Sequence, residues 1–257
     1  MKKCVVIPDI HYPYHNKKAW FAILKFIKWF KPQVLVLLGD AIEMRAIDHW
    51  KREKGNLKAF EGKRLLHDYQ DFKEDILLPL EKLCPRAERY YLFGNHEDWQ
   101  YQLVEANPQL EGLIEIENVL KLKEKWKVIP YLIRTRRGAA LRGRLKLGKL
   151  TLIHGEYTNK YHSAKTSDSY LKSVMYAHTH DRQLFTKVHV EDPADYHTCQ
   201  SIGCVCDRSP QYLWGRPNRW VHAFAILYIR PNGLFTDYVP IIIDGQFTYA
   251  GKTFSYK

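Results

Sequence analysis

Short apolar runs that end at polar motifs recur along this chain. Their lengths predict strands over residues 5–8, 34–38, 89–93, 150–153 and 173–176. Continuous apolar runs of this length fit strands that are buried on both faces of a layered α/β fold. Because ligand sites in such folds gather at the carboxyl ends of the strands, we expect the polar residues after these runs to converge in space.

Longer stretches between the strands space their apolar residues as amphipathic helices do. They predict helices over residues 17–30, 62–83, 98–106 and, with a less regular pattern, 111–125. Pro32 ends the first helix before the second strand. Pro79 is expected to break the second helix near its end.

The last third of the chain is rich in strand signals. Predicted strands cover residues 182–190, 197–203, 221–230 and 234–243. Before them, residues 134–149 form the most basic stretch, and three glycines within it favour a hairpin or loop over a long helix. No repeat, low-complexity tract or linker divides the sequence, so we expect one domain over residues 1–257.

The overall composition narrows the class of protein. The 257 residues are 46% hydrophobic and 26% charged, as in ordinary soluble globular proteins. No apolar run approaches the roughly 20 residues of a membrane span. The start reaches Asp9 too early for a signal peptide, so we expect a cytoplasmic protein without membrane contact. The five cysteines do not make a disulfide framework, and the Cys204 and Cys206 pair fits buried thiols better than zinc because no second pair has zinc-ribbon spacing.

The charge balance suggests a partner. Lys and Arg number 40 against 28 Asp and Glu, a net charge of +12 that suits a polyanion such as nucleic acid, although lysine-rich solvated helices also make chains basic. Aromatic rings alternate with guanidinium groups at Tyr212, Trp214, Arg216, Arg219 and Trp220. Such a patch can stack bases and neutralise phosphates, or it can be a loop held by aromatic packing, and the sequence leaves both interpretations open.

Five motifs that follow the predicted strands carry the candidate chemistry. They are Asp9-Ile10-His11, Gly39-Asp40, Gly94-Asn95-His96-Glu97-Asp98, His154-Gly155 and Ala177-His178-Thr179-His180. A set of carboxylate, amide and imidazole donors suits Mn, Fe, Zn or Co. It differs from a thiolate site, and from the purely oxygen-ligated sites that are typical of Mg or Ca. The two-residue spacing within the first and last motifs puts both donors on one side of an extended strand end, so two such pairs facing each other could hold one metal ion.

In this order, the motifs Asp-x-His, Gly-Asp, Gly-Asn-His-Glu, His-Gly and His-x-His resemble the calcineurin-like metallophosphoesterase superfamily. The resemblance runs from Asp9 to His180, and the tail through Gly251 looks like the second sheet of the same fold. The Asp-Ile-His-Tyr-Pro-Tyr-His opening and residues 203–207 look most like small phosphoesterases of bacteriophage and prokaryotic genomes. The resemblance implies a four-layer α/β/β/α sandwich with two mixed β-sheets.

The resemblance also implies a role for each motif. Two divalent metal ions are expected, Mn first, with Zn, Fe, Co, Ni and Mg as alternatives. One ion would be bound by Asp9, His11 and His180, and the other by Asn95, His154 and His178. Asp40 would bridge both, and a hydroxide between the ions would attack phosphorus in line. His96 would not be a ligand but would protonate the leaving oxygen or stabilise charge on the phosphoryl group.

Several positions depart from the family pattern or flank it. Ala177 stands where glycine is usual, and a methyl group there could crowd the site. Glu43 stands where related enzymes often carry Asp or Asn, and it is expected to support a ligand or face the substrate. His15, beside Tyr12 and Tyr14, and Arg182, whose planar fork can meet a phosphate, are further candidates for substrate binding. Asp98-Trp99 replaces an arginine of the protein serine/threonine phosphatases, which counts against that activity.

Three functions remain in competition. The first is a nuclease or nucleic-acid phosphodiesterase, supported by the net charge and by the basic and aromatic segments. The second is a phosphatase or cyclic-nucleotide phosphodiesterase acting on small molecules, supported by the compact chain. The third is a binding protein that kept the fold without catalysis, which the intact set of ligands and His96 disfavours.

Overall fold

Two mixed β-sheets pack face to face, and helices cover the outer side of each sheet. The computed structural model describes residues 1–48, 55, 57–134, 140–192, 195–210, 213 and 215–257. Its strands are β1 (Lys2–Ile7), β2 (Val34–Leu38), β3 (Glu88–Leu92), β4 (Lys127–Ile129), β5 (Leu132–Arg134), β6 (Ala140–Arg142), β7 (Leu145–Leu147), β8 (Leu150–Ile153), β9 (Val174–Tyr176), β10 (Leu184–Val188), β11 (Tyr196–Ser201), β12 (Ala225–Ile229), β13 (Phe235–Tyr238), β14 (Gln246–Tyr249) and β15 (Lys252–Ser255).

The strand order explains how the motifs meet. The first sheet has the order β13-β12-β1-β2-β3-β4, and the second has the order β10-β11-β9-β8-β7. Strands β1 to β4 run parallel to one another, as do β8, β9 and β11. The carboxyl ends of the motif-bearing strands in each sheet therefore lie at one edge, where ligand sites form in such folds.

The helices lie between and after these strands. They are α1 (Lys17–Phe30), α2 (Leu65–Phe72), α3 (Leu78–Leu83), α4 (Asn95–Ala106), α5 (Ile116–Val119) and α6 (His162–Tyr170). The Asn16 side chain caps the first of them by accepting a hydrogen bond from the backbone of Ala19. Within the described ranges, none of the helices combines the length and the apolar character that crossing a membrane requires.

Alternate side chains of the central strands face different layers. In β1, Val5 and Ile7 pack against the helices, whereas Cys4 and Val6 pack against the second sheet. This two-sided burial is why the strand reads as a continuous apolar run. A third cluster, which includes Tyr176 and against which Tyr170 of α6 packs, covers the other side of the second sheet. The layers are thus α/β/β/α, which confirms the fold predicted from the sequence.

The second predicted helix is interrupted earlier than expected. Residues 73–77, between α2 and α3, form a π-helical turn in which the N–H of Leu78 donates to the carbonyl of Lys73. Pro79 follows directly and has no N–H to donate, and a wide turn accommodates the altered hydrogen-bond pattern. The helix then continues to Leu83, so the prediction of a break at Pro79 itself is wrong.

Two other expectations are corrected. The predicted helix over 111–125 is only the single turn α5 and a 3-10 turn, because Lys121 has a φ of 52° and ends the helical path. The C-terminal tail belongs to the second sheet only in part: β10 and β11 join that sheet, β12 and β13 extend the first sheet, and the hairpin β14–β15 packs on α1. Pro240 breaks the predicted strand over 234–243, since proline cannot donate to a β-ladder.

The described part of the basic stretch contains strands and turns and not a long helix, as its glycines predicted. Strands β5 and β6 pair antiparallel, and β7 follows them. Residues 135–139, which include Arg136 and Arg137, lie outside the described part of the chain. Tyr212 and Trp214 of the aromatic segment lie outside it as well.

Candidate metal centre and active site

The five motifs meet where the carboxyl ends of the two sheets adjoin. Asp9, Asp40 and Asn95 follow β1, β2 and β3 of the first sheet. His154 and His178 follow β8 and β9 of the second sheet. The convergence that the sequence predicts is therefore present.

A first cluster consists of Asp9, His11 and His180. The Nε2 atoms of His11 and His180 lie 3.2 Å apart, and Asp9 Oδ1 lies 3.9 Å and 3.5 Å from them. Asp9 is fully buried, and its Oδ1 accepts no hydrogen bond from any residue that the structure describes. A buried carboxylate oxygen without a hydrogen-bond donor, facing two imidazole nitrogens, is a suitable ligand for a metal cation.

A second cluster forms around His154. Its Nε2 lies 3.2 Å from Asp40 Oδ2 and 3.2 Å from Asn95 Oδ1. The His178 ring packs against it with the ring centroids 5.1 Å apart, and ligand atoms of Asp40, His154 and His178 all lie within 4.8 Å of one another. Asp40 Oδ2 is also 3.7 Å from Nε2 of His11. One oxygen of Asp40 therefore faces both clusters.

The donor set fits divalent metal ions. Its members are imidazole nitrogens and carboxylate or amide oxygens, which suit borderline cations. Metal-binding histidines usually have their second ring nitrogen held by a carboxylate or carbonyl, and His11 and His154 both meet that condition. His11 Nδ1 lies 2.6 Å from Glu43 Oε2, and His154 Nδ1 lies 2.9 Å from the carbonyl oxygen of Leu38. Both rings thus keep Nε2 toward the centre.

The backbone at the site is held in the left-handed region. Positive φ angles of 39° to 70° occur at Asp9, His11, Asp40, His178 and His180. Residues other than glycine rarely adopt this conformation, and it persists where surrounding structure imposes it. The donors therefore converge through strained turns after the strands, and the extended spacing assumed from the sequence is not the geometry that brings them together.

Glu97 holds the loops that carry the donors, and the sequence interpretation gave it no role. It is fully buried, and its carboxylate accepts hydrogen bonds from the backbone of Asp40, Ala41 and Gly94 at 3.0, 2.8 and 2.7 Å, and from the Tyr91 hydroxyl at 2.8 Å. Burial and the neighbouring Asp40 raise its pKa. Its position three residues after the helix cap Gly94 was the available signal.

His96 stands at the rim of the centre. Its Nδ1 lies 2.9 Å from the carbonyl oxygen of Glu43, and its Nε2 lies 3.9 Å from Asp40 Oδ2. The ring packs against Trp99 at 4.0 Å between centroids. Ligand atoms of His96 fall within 4.8 Å of those of His11 and Asp40, so the geometry allows both proton transfer and metal binding at this residue.

The surroundings of the histidines at the centre shift their pKa values in opposite directions when no metal is bound. Burial lowers the pKa of His11, but hydrogen bonding to Glu43 and the charge of Asp40 outweigh it and raise the pKa to about 10. At His154, burial again lowers the pKa, but the charge of Asp40 outweighs it and raises the pKa to about 9. Burial and the charge on His154 lower the pKa of His178 to about 4. His154 also keeps the pKa of Asp40 well below its usual range, against the effect of burial.

The three residues expected to bind substrate lie in different surroundings. Glu43 contacts His11 and is 8% exposed, so its carboxylate supports that ring. His15 stacks on Tyr12 with centroids 5.4 Å apart, in aromatic packing beside the first motif. Arg182 is half-buried near Asp237, and burial lowers its pKa. Substrate binding by these residues stays a prediction.

Ala177 is accommodated without crowding. It is fully buried in the core between the sheets and does not have a positive φ. Gly155, by contrast, has a φ of 139°, and a Cβ on it would lie 2.8 Å from Cβ of His178. The requirement for glycine falls on residue 155 rather than on residue 177.

Two residues beside His180 were not assigned to the site from the sequence. Cys206 Sγ lies 3.7 Å from His180 Nδ1, and Cys204 is buried nearby, which confirms buried thiols at this pair. Trp220 packs its ring against His180 with centroids 4.2 Å apart. The alternation of aromatic and basic residues near Trp220 was the signal, but only the fold shows that it reaches the centre.

Cations lie near the second cluster. The guanidinium of Arg142 lies 4.3 Å from the ring centroid of Tyr131, and that ring packs edge to face with His154 at 5.9 Å. Lys160 and Arg219 are exposed and line a cavity that includes His178. The surroundings of the centre can therefore attract an anionic ligand.

Known proteins resemble this chain over nearly its whole length. It is 25% identical over 273 aligned positions to the Gene 54 protein of Mycobacterium phage D29, covering 97% of each chain. It is 23% identical to the Gene 54 protein of Mycobacterium phage L5, covering 98% of each. The structure of vacuolar protein sorting 29 from Cryptosporidium parvum aligns with a TM-score of 0.44 at 11% identity, covering 99% of this chain and 95% of that one.

A family match completes the comparison. The sequence profile of the calcineurin-like phosphoesterases matches residues 2–198, which include all five motifs. The matched region carries both clusters of donors and the Asp40 carboxylate between them. This chain therefore belongs to the calcineurin-like phosphoesterase family.

Proposed function

We propose that the protein is a metal-dependent phosphodiesterase that hydrolyses nucleic acid. The observation that supports this most directly is the placement of Asp40, whose Oδ2 lies 3.7 Å from His11 Nε2 and 3.2 Å from His154 Nε2. A carboxylate shared by two clusters of donors suits two cations held side by side. Such a pair is a recurring arrangement for the in-line displacement of phosphoesters.

Each cluster would hold one ion, with Mn²⁺ as the expected metal. The ligands that we assign are Asp9, His11, Asp40, Asn95, His154, His178 and His180. Bound divalent ions supply Lewis-acid catalysis and an acidified water. Glu43 and Leu38 keep the imidazoles of His11 and His154 directed at the centre.

His96 is the residue that we assign to proton transfer. With Nδ1 donating to the carbonyl of Glu43, its Nε2 is left facing the centre, where it can hold a proton for the leaving oxygen. The carboxylate of Glu43 lies 3.6 Å from Nδ1. Packing against Trp99 fixes the orientation of the ring. General acid catalysis of this kind contributes roughly 10²- to 10⁴-fold in rate.

The preference for nucleic acid rests on charge. The net charge of +12 favours a polyanion, and cations surround the second cluster at Arg142, Lys160 and Arg219. A second candidate is hydrolysis of small phosphorylated molecules, which the cavity of about 330 Å³ beside His178 favours because it has the volume of a small-ligand pocket. A binding role without catalysis is disfavoured, because the donor set and His96 are complete.

A panel of metals and substrates tests this proposal. Protein stripped with a chelator is assayed with Mn²⁺, Zn²⁺, Co²⁺, Ni²⁺ or Mg²⁺ on mononucleotides, cyclic nucleotides, single strands and duplexes. We expect Mn²⁺-dependent cleavage of internucleotide bonds, together with binding to nucleic acid that weakens steeply with salt. Cleavage restricted to small phosphoesters would establish the second candidate, and no hydrolysis with any metal would overturn both.

A further inference from the structure

A cavity of about 330 Å³ lies directly beside the second cluster of donors. His178 belongs both to that cluster and to the lining of the cavity. A group bound there would adjoin the atoms that we assign to phosphoester cleavage. Neither the charge pattern nor the motifs define which ligand occupies this space. We therefore infer the class of ligand from the residues that line the cavity.

One wall is the indole of Trp220. Its ring packs edge to face with His180 at 4.2 Å, and the N–H of Val221 donates to the carbonyl of His180 at 2.8 Å. The backbone of Trp220 donates to Asn218 Oδ1, and the Asn218 amide in turn donates to the carbonyl of Arg208. These contacts fix the aromatic wall relative to the metal centre.

The loop before α6, which carries Lys160, also lines the cavity. Gln183 holds this loop, because its Nε2 donates to the carbonyl of Lys160 at 2.9 Å and its Oε1 accepts from the backbone and hydroxyl of Ser163. Lys160 and Arg219 are both exposed. The cavity is thus lined by two exposed cations, one on the loop before α6 and one beside Trp220.

The acidic residue in the lining is hydrogen-bonded to its neighbours. Asp181 Oδ1 accepts hydrogen bonds from Thr179 and Ser201 at 2.8 and 2.9 Å. Its Oδ2 lies 3.1 Å from Nε2 of His162, which is buried. Lys160 and Arg219 outnumber this carboxylate, so the charged side chains that line the cavity in the described part of the chain favour an anion.

We propose that this cavity binds one nucleotide unit of the substrate, with its base against Trp220 and its non-scissile phosphate near Arg219 and Lys160. The proposal rests on the proposed function, since it places the scissile phosphoester at the His178 end. Base–aromatic stacking is tolerant of sequence and contributes strongly to binding of single strands. Guanidinium and ammonium groups then neutralise the phosphate. The same chemistry recognises a free nucleotide or one unit of a polynucleotide.

Binding to the metal-free protein tests the inference independently of catalysis. Calorimetric titration with thymidine 5′-monophosphate and with a short oligothymidylate is compared between the wild type and Trp220→Ala. We expect affinity to fall roughly 5- to 150-fold for both ligands. Trp220→Phe keeps an aromatic ring beside His180 and is expected to retain most of the affinity, and Trp29→Ala, which removes an exposed tryptophan from α1, should have no effect.

The charge of the cavity lining is tested with matched double variants. Lys160→Ala/Arg219→Ala is expected to weaken binding about 2- to 30-fold. Lys28→Ala/Arg86→Ala removes the same charge from exposed positions elsewhere and should leave binding unchanged. Equal losses of affinity in the two double variants would mean that binding depends only on the net charge of the protein. Unchanged affinity in Trp220→Ala would refute base stacking on Trp220.

Kinetics separate this inference from the proposed function. The test uses two diesters, thymidine 5′-(p-nitrophenyl phosphate) and methyl p-nitrophenyl phosphate. Both release p-nitrophenolate, and only the first carries a nucleoside. Trp220→Ala should raise KM for the thymidine ester relative to the methyl ester. Hydrolysis with an unchanged KM ratio would refute the cavity assignment and leave the phosphodiesterase standing. If neither ester is hydrolysed, the proposed function fails, and the binding titrations still decide whether the cavity takes a nucleotide.

Discussion

The imidazoles of His11 and His180 face each other with their Nε2 atoms 3.2 Å apart, although 169 residues separate them in the chain. His11 follows β1 of the first sheet, and His180 follows β9 of the second. The candidate centre therefore exists only because the two sheets pack together. Stability of the core between the sheets and integrity of the centre are coupled.

Glu43 is expected to set the metal affinity of the first cluster. Its carboxylate lies 2.6 Å from Nδ1 of His11 and orients that ring. Loss of such a partner typically costs 10- to 100-fold in metal affinity. We expect a loss of about this size in Glu43→Gln, measured by Mn²⁺ titration. Glu61→Gln, at an exposed position, serves as the control, and equal affinities of the two variants would refute the role of Glu43.

Glu97 is expected to stabilise the folded protein through the hydrogen bonds that it accepts at the centre. In Glu97→Gln, an amide N–H₂ replaces an oxygen that accepts backbone and hydroxyl hydrogen bonds, so buried donors lose their partner. We expect a loss of about 1–3 kcal/mol in the free energy of unfolding, measured by urea denaturation. Glu105→Gln lies exposed on the same helix and should change it by less than about 0.5 kcal/mol. Similar values for both variants would contradict the network.

Gly155 is expected to be indispensable for the second cluster. Gly155→Ala puts a Cβ about 2.8 Å from Cβ of His178, and the neighbouring carbonyl of Ala177 lies 3.1 Å away. We expect a reduced metal content, measured by elemental analysis after dialysis. Gly251→Ala also has a positive φ, of 74°, but meets nothing within 4 Å. It should keep its metal, and metal loss in both variants would point to backbone strain rather than to the displaced ring.

Metal binding is expected to release protons. His11, with a pKa of about 10, and His154, with a pKa of about 9, hold protons in the metal-free protein at neutral pH. Because only the neutral rings bind a cation, metal affinity should rise with pH up to about 9–10. Calorimetry of Mn²⁺ binding in buffers with different ionisation enthalpies measures the release. Identical apparent enthalpies in all buffers would contradict it.

The same shifts set the sign of a stability effect in the metal-free protein. Both folded pKa values lie above the ordinary histidine value of 6.5. The stabilisation from these rings is therefore complete below pH 6.5 and is lost as the pH rises through about 9–10. Denaturation of chelator-treated protein across this range should show falling stability, and a flat profile would count against the Glu43 and Asp40 contacts.

The resemblance carried by the five motifs implied the α/β/β/α layers. Buried strands and their polar ends leave local patterns, and these predicted the convergence of the motifs. The sequence did not predict that β12 and β13 join the first sheet, since alternation gives no information on the partner of a strand. The role of Glu97 was missed because, although Gly94 and Tyr91 are local partners, the loop that it holds at residues 40–42 lies 55–57 residues away. Trp220 was recognised as an aromatic residue, but its contact with His180 depends on long-range folding.

The role of His96 tests the account most directly. Hydrolysis of bis-p-nitrophenyl phosphate and bound Mn²⁺ are measured in parallel for the wild type and His96→Ala. We predict that the wild type is active only with metal, and that the variant loses roughly 10²- to 10⁴-fold in rate while its metal content is unchanged. Loss of metal from the variant would make His96 a ligand, and full activity in the variant or none in the metal-loaded wild type would contradict the proposed phosphodiesterase.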